Sequence, residues 1–245
     1  MSKISKPEED AINVAAPAGF DAQAVPIESV CIGQQKVLDR LLDPYQLKER
    51  LLSPPAWQIE ITDENRHVMA ADIIAKRQAA GKVTRAAVLI PLLLQPNGLS
   101  VLLTQRTTHL RDHGGQISFP GGRMDPEDAG PNETALRESE EEIGLERERV
   151  EIIGQLPEYL TVSGYSVTPI IGLVKPQAEY VLDEFEVADI FEVPLSFLMD
   201  PANHQVRVWQ SEQGSRRFYS MPYEGRFIWG ATAGMLRNLY HLLKV

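Results

Sequence analysis

Three carboxylates are placed where they could do chemistry together. Glu138 and Glu141 are three residues apart, Glu138 and Glu142 four, in Arg137-Glu138-Ser139-Glu140-Glu141-Glu142. On a helix that spacing puts all three on one face. Like charges so placed weaken an isolated helix by roughly 0.2–0.5 kcal/mol per pair, and Arg137 can offset part of this by pairing with Glu141 one turn on. Grouped carboxylate oxygens suit a hard divalent cation, Mg2+ or Mn2+. A solvated acidic helix face is the bland alternative. The neighbouring residues favour the cation. Phe119-Pro120-Gly121-Gly122 precedes the helix and lets backbone approach a ligand closely. Arg106 and Arg111, just upstream, could grip phosphate oxygens in bidentate fashion. A Gly-rich loop, arginines and a carboxylate helix together point to metal-assisted phosphate chemistry. In that chemistry the metal offsets phosphate charge and helps deprotonate a water, and a spare carboxylate could serve as base.

Recognisable elements hold these residues. Ala86 to Leu94 is a continuous apolar run suited to a buried strand. Pro96-Asn97-Gly98 is a hairpin signal, and Ser100 to Arg106 returns as the second strand. Thr107 to Pro131 reads as a long loop, of the kind that is usually functional. Glu133 to Ile143 reads as a helix stopped by Gly144. Further strands are expected at Val150–Leu156, Val167–Val174 and Val206–Trp209, and around Phe218–Met221. A short helix is expected at Pro194–Asp200, and a final one at Ala231–Leu243. Upstream, Val37–Leu52 and Val68–Lys82 carry helical spacing, and residues 1–30 read as a mobile tail. Strands and helices alternate irregularly, so the fold class is α/β with a mixed sheet covered by helices. The expected organisation is a tail at 1–30, a helical extension at 31–82 and a catalytic domain at 83–245. Exposed apolar faces of the extension would suit a homodimer.

Composition removes several classes of function. The chain has 245 residues and a formal net charge of −10. Residues 125–151 hold eleven acids and three bases, so most of that charge sits beside the candidate site. An acidic protein of this kind is not expected to bind nucleic acid or an anionic membrane. Cys31 is the single cysteine, which excludes an internal disulfide and a Cys-rich zinc site and fits a reducing compartment. With no apolar run long enough for a span and a polar, acidic start, the cytoplasm is the expected location.

Gly122 through Leu145 resembles the Nudix box, G-x5-E-x7-R-E-U-x-E-E-x-G-U with U aliphatic. Its second half fits from Arg137 to Leu145 except that Ser139 replaces an aliphatic residue. Its first half is one residue long, with Asp128 where the first Glu would stand. Upstream, Leu102-Leu103-Thr104-Gln105-Arg106-Thr107-x3-Arg111-x3-Gly115-x3-Phe119-Pro120-Gly121-Gly122 is similar, at every fixed position, to the signature of the coenzyme A diphosphatase branch of Nudix hydrolases. Leu156 to Tyr165 and Thr168-Pro169 resemble that branch's downstream loop.

The resemblance implies an α/β/α sandwich around a mixed sheet and hydrolysis of a diphosphate by an activated water. Coenzyme A would yield 4′-phosphopantetheine and adenosine 3′,5′-bisphosphate. Glu138, Glu141 and Glu142 match the family's metal ligands for Mg2+ or Mn2+, and Arg137 would orient them. The Gly121 carbonyl could also reach the metal. Glu186 matches a loop carboxylate that binds metal or acts as base; a solvated loop acid is its alternative. Arg106, Arg111, Gly115, Phe119, Gly121 and Gly122 would line the substrate, and Tyr165 could stack on adenine or simply pack. An ion pair that stiffens the loop is the alternative for the arginines. His113 could hydrogen-bond substrate or hold the loop, while Trp209, Trp229 and Cys31 read as packing residues. Another nucleoside diphosphate (ADP-ribose, NADH or a nucleotide sugar) is the alternative substrate. A nucleotide-binding regulatory module without catalysis is the alternative outside enzymes.

Overall fold

The computed structural model describes residues 20–60, 83–110, 113–161, 164–211 and 214–244. The expected helix at Val68–Lys82 and the loop residue Arg111 lie outside these. The central strand is β2 (Thr84–Gln95), which runs parallel to β8 (Tyr165–Val174) and antiparallel to β3 (Gly98–Arg106). Its side chains alternate between two cores. Ala86, Ile90 and Leu92 enter one, and Ala87, Leu89 and Leu93 enter the other. Burial on both faces is why the strand reads as an unbroken apolar run.

The sheet is completed by β4 (Ile117–Ser118), β5 (Gly121–Arg123), β6 (Val150–Gln155), β7 (Tyr159–Leu160) and β9 (Val187–Pro194). Its order is β4-β3-β2-β8-β6, with β5 on β2, β7 on β8 and β9 on β3. Pro91 is tolerated in the middle of this sheet because β2 changes partner there. β5 pairs as far as Val88 and β3 begins at Leu92. The Leu89 N–H points to that side, toward the Pro120 carbonyl, and a donor at position 91 would face the gap between partners.

Helix α2 (Pro131–Ile143) lies on one face of the sheet, where Ala135 and Ile143 pack with Leu89 and Ile170. Pro131 starts it, with a fixed φ suited to a first turn. Gly144 ends it in the left-handed conformation, φ +64, with its N–H on the Glu140 carbonyl and the Leu145 N–H on that of Ser139. Ser139 is buried and donates to the Ala135 carbonyl at 2.6 Å, so its hydroxyl is satisfied within the helix.

The other face carries the larger core. Short helices α1 (Pro44–Leu52) and α3 (Leu195–Leu198) and the final helix α4 (Gly230–Leu243) contribute to it. A second, antiparallel sheet packs on α4, in the order β1 (Ile27–Val30), β10 (Gln205–Ser211), β11 (Gly214–Tyr223), β12 (Arg226–Trp229). The expected mixed α/β architecture is thus present, with this second sheet added to it.

Three expectations change. The tail does not run to residue 30: Phe20 packs on Trp209 at 5.0 Å, and Ile27–Val30 pair with β10. Residue 83 does not separate two cores, since Val37 and Leu47 share one with Leu92 and Leu239. The long loop from Thr107 contains β4 and β5, both paired into the main sheet. No helix among the described residues is long and apolar enough to cross a membrane.

Candidate active site

The glycine pair seats the carboxylates. Gly121 has φ +149, and a Cβ there would lie 2.4 Å from the Ala87 carbonyl oxygen. Only glycine lets β5 lie this close to β2. A Cβ on Gly122 would fall 2.5 Å from the Glu138 carboxyl, so that carboxyl occupies the space a side chain would need. The Gly121 N–H donates to Glu142 Oε2 at 3.1 Å. β5 therefore grips both acids on the inner side of α2.

The acids of this region fall into two groups. Arg147 pairs with Glu133 and Glu140, each at 2.6 Å, on the outer side of α2. Arg137 holds Asp128 through two bonds, Nε to Oδ1 and Nη2 to Oδ2, both 3.0 Å. It also reaches Glu138 at 3.0 Å, Glu141 at 2.9 Å and the Arg123 carbonyl at 3.2 Å. Glu142 is left with a more distant cation, Arg106 Nη1 at 3.6 Å, although its side chain is only 7% exposed. Arg106 Nη2 lies 3.6 Å from Glu186 Oε2, so one guanidinium spans Glu142 and Glu186.

The electrostatics follow from this division. Burial pushes Glu142 up to about 8; the Gly121 N–H and Arg106 oppose this, while Glu138 and Glu186 add to it. Burial also raises Glu138, against the pull of Arg137. The Arg137 hydrogen bonds, opposed by burial, hold Asp128 far below the usual carboxylate range, with help from Thr134 and the Asp125 N–H. Asp128 and Arg137 therefore form a satisfied clamp; Glu138 shares Arg137 with Asp128 and Glu141, and Glu142 has, among the described residues, only the more distant Arg106.

That shortage is the test of the implied metal. An all-oxygen donor set with buried, like-charged carboxylates fits a hard divalent cation. Among the described residues no three such groups form a closed cage. Mg2+ commonly uses one or two carboxylates, completing its shell with water and substrate phosphate, and Glu138 with Glu142 match that requirement.

Other expected residues separate. Glu141, expected as a ligand, has a 59% exposed side chain turned to Arg137. Phe119, expected to line the substrate, is 2% exposed and packed in the main core, so its ring is a structural anchor for the glycines that follow. Tyr165 pairs in register with Thr84, packs against the core opposite α2 and accepts a bond from Arg123 at 3.3 Å. It does not join the carboxylates. Gly115, φ +74, turns the loop back so that its N–H meets the Arg106 carbonyl. His113 Nδ1 lies 2.9 Å from Gln116 Oε1, a loop-holding role. Trp209 and Trp229 pack with Phe20 and Phe218, and Cys31 is buried.

Two contributors escaped the sequence reading. Asp128 is the partner of Arg137; its position at the displaced first acid of the box was the available signal. The segment before β9 bolts the site together: Asp183 N–H caps the Glu142 carbonyl at 2.9 Å, and Thr107 N–H meets the Glu186 carbonyl at 2.9 Å.

Comparison with known proteins finds matches over the region that holds these residues. The NUDIX domain family model matches residues 83–213. The chain is 43% identical over 155 residues to a protein of Escherichia coli (strain K12) named Uncharacterized Nudix hydrolase NudL; the match spans 63% of this chain and 80% of that one. The NudL of Shigella boydii serotype 4 (strain Sb227) matches with the same values. Of solved structures, the Nudix hydrolase RenU from M. smegmatis aligns with a TM-score of 0.40 and 25% identity, over 46% of this chain and 71% of RenU.

Proposed function

The chain belongs to the Nudix hydrolase family, enzymes that cleave diphosphate bonds in nucleoside diphosphate derivatives, and from that premise we propose that its substrate is coenzyme A or an acyl-coenzyme A. The products are (acyl-)4′-phosphopantetheine and adenosine 3′,5′-bisphosphate. The observation that carries this reading is the stretch from Leu102 to Gly122, which fits the coenzyme A diphosphatase signature at every fixed position. The placement of its Arg106 between Glu142 and Glu186 supports it.

Each residue has a physical task. Glu138 and Glu142 would hold the divalent cation, Mg2+ or Mn2+, with the Gly121 carbonyl as a further oxygen donor. When bound, the cation neutralises diphosphate charge and lowers the pKa of a water. Arg106 exchanges its carboxylate partners for a substrate phosphate, which accepts two parallel bonds from a guanidinium better than either distant acid does. Glu186, partly exposed and released from Arg106 by that exchange, takes the proton from the attacking water. Arg137 fixes the pitch of α2 against Asp128, and Glu141 buttresses Arg137 from the solvent side. Water attacks phosphorus directly, so no protein-bound intermediate forms. A second copy of the chain is the proposed cover for Leu38, Tyr45 and Leu52, all exposed in the extension. The reaction is placed in the cytoplasm.

Product analysis by mass spectrometry tests the reading. The purified chain is incubated with Mg2+ or Mn2+ and a mixture of coenzyme A, acetyl-coenzyme A, ADP-ribose, NADH and a nucleotide sugar. Fastest release of (acyl-)phosphopantetheine with adenosine 3′,5′-bisphosphate is the expected result. Faster cleavage of ADP-ribose or NADH keeps the chemistry and overturns the substrate. No cleavage with either metal favours a nucleotide-binding module.

A further inference from the structure

One aromatic side chain stands out beside the carboxylates. Phe185 is 65% exposed, and its ring meets that of His109 at 4.9 Å, with the two planes 59° apart. A single exposed apolar residue is ordinary on a protein surface. The setting of this one is not. Its neighbour in the chain is Glu186, whose carboxylate lies 3.6 Å from Arg106. Consecutive Cα atoms are about 3.8 Å apart, so the backbone that carries the ring adjoins the backbone that carries Glu186.

The backbone under Phe185 is pinned at both ends. Val181 N–H reaches the Ile143 carbonyl at 3.2 Å and Asp183 N–H the Glu142 carbonyl, which fastens the segment to the end of α2. Thr107 Oγ1 donates to the Phe185 carbonyl at 2.7 Å, which fastens it to the end of β3. Phe185 N–H is held by Asp183 Oδ1 at 2.9 Å. A largely exposed hydrophobic ring, with His109 as its ring neighbour, is thus carried on backbone that these bonds hold. The segment joins the helix bearing Glu142 to the strand bearing Arg106, so ring and phosphate-facing groups keep a fixed separation.

Tyr165, by contrast, packs on the core at the face of the sheet opposite α2. We infer that Phe185 and His109 form the stacking corner for the base of a nucleoside diphosphate substrate, the base lying on the Phe185 face with its edge toward His109. The inference rests on the proposed diphosphate chemistry and names the group that recognises the nucleoside. Every base offers a flat face, so the corner gives affinity for a nucleobase and little choice among bases.

Calorimetric titration of the full chain with Mg2+ decides the point, using ADP and inorganic diphosphate as probes. The variants are Phe185→Leu, Phe185→Trp and His109→Ala. The wild type is expected to bind ADP more tightly than diphosphate. Phe185→Leu, which keeps apolar bulk but loses the stack, is expected to weaken ADP about tenfold, within the range of a lost base–aromatic stack. It should leave diphosphate unchanged. Phe185→Trp retains ADP affinity, and His109→Ala loses a smaller part of it. Equal losses for both probes in Phe185→Leu, or no loss for either, would overturn the inference. A wild type that binds diphosphate and ADP equally overturns the corner and spares the diphosphate chemistry. A wild type that binds neither overturns both.

Discussion

Glu142 and Glu60 are both glutamates withdrawn from water, and their carboxyls are driven in opposite directions. At Glu142 burial dominates, and the group rises to about 8. At Glu60 burial also acts upward, but bonds from His241 and Arg237 outweigh it and bring the group to about 2. The difference lies in the partners. Arg237, fully buried within α4, donates to Glu60 Oε2 at 2.7 Å, and His241 bonds the same oxygen. Tyr219 donates to Oε1 at 3.0 Å, and the Glu60 N–H meets Asn238 Oδ1 at 2.9 Å. Burial lowers His204 to about 4, so its neutral ring can accept from Arg237 at 3.0 Å through Nδ1 while Nε2 faces the Leu198 carbonyl. Gln34 accepts another guanidinium bond. One region spends its charges on one another and ties the N-terminal segment to the last helix. The other leaves Glu142 without a close cation among the described residues, in keeping with the proposed cation site.

The largest effect that could break this contrast is on turnover. Glu142→Gln or Glu138→Gln is expected to lower kcat by roughly a thousandfold, since a catalytic cation contributes several kcal/mol and each tenfold in rate is about 1.4 kcal/mol. Thermal unfolding of metal-free Glu142→Gln should show no loss of stability, and that of Glu138→Gln, which gives up its Arg137 contact, a small one. Glu60→Gln should do the reverse. Removing one partner of a buried ion pair costs about 3–5 kcal/mol, and partial exposure of Glu60 places the expected loss near the lower value. Its rate per folded molecule should be unchanged. Normal turnover in folded Glu142→Gln, or a catalytic defect in folded Glu60→Gln, would erase the distinction.

Asp128→Asn sharpens it, because Asp128 is a satisfied acid inside the catalytic region. Hydrogen bonds to charged groups contribute about 1.5–3 kcal/mol, so denaturant titration should show a loss near 2 kcal/mol. The freed Arg137 remains near Glu138 and Glu141, so kcat should fall by much less than in Glu142→Gln. A loss of rate as large as that of Glu142→Gln would make Asp128 part of the chemistry rather than of its support.

The same division explains what could be read from the chain. Glu138 and Glu142 were legible because one helix turn brings them together, and local periodicity defines α2, β2 and α4. The first strand was not legible, because Ile27–Val30 gain their partner from Gln205–Arg207, far along the chain. The Glu60–Arg237 contact spans 177 residues and leaves no local pattern. β9 was missed for a similar reason, its half-polar sequence being ordered by β3. The Phe119 ring fills the core, a burial that its place in a Gly-rich loop motif does not reveal. Asp128 was visible but displaced by one residue, and only the guanidinium fork of Arg137 reveals its role.

The smallest expected effect separates the two regions by pH. The unfolded reference for either glutamate is 4.5. Glu60 is lower when folded, so its contribution is complete above about 4.5 and is lost as pH falls toward about 2. Glu142 is higher when folded. Between 4.5 and about 8 the folded protein keeps a proton that the unfolded chain has released, so metal-free stability falls as pH rises through that window. After solvent and side-chain relaxation, on the order of 1 kcal/mol should survive, or about 2–4 °C in Tm for a chain of this size. Melting curves in chelator across pH 3 to 9 should show both limbs. Glu60→Gln should reduce the acid limb, to which Asp128 and His204 also contribute, and Glu142→Gln should reduce the neutral-to-alkaline limb. Mg2+ or Mn2+ should raise Tm more at pH 8 than at pH 5, because cation and proton compete for the same carboxylates. A cation effect equal at both pH values would place the ion elsewhere, and the contrast between the two glutamates would then concern stability alone.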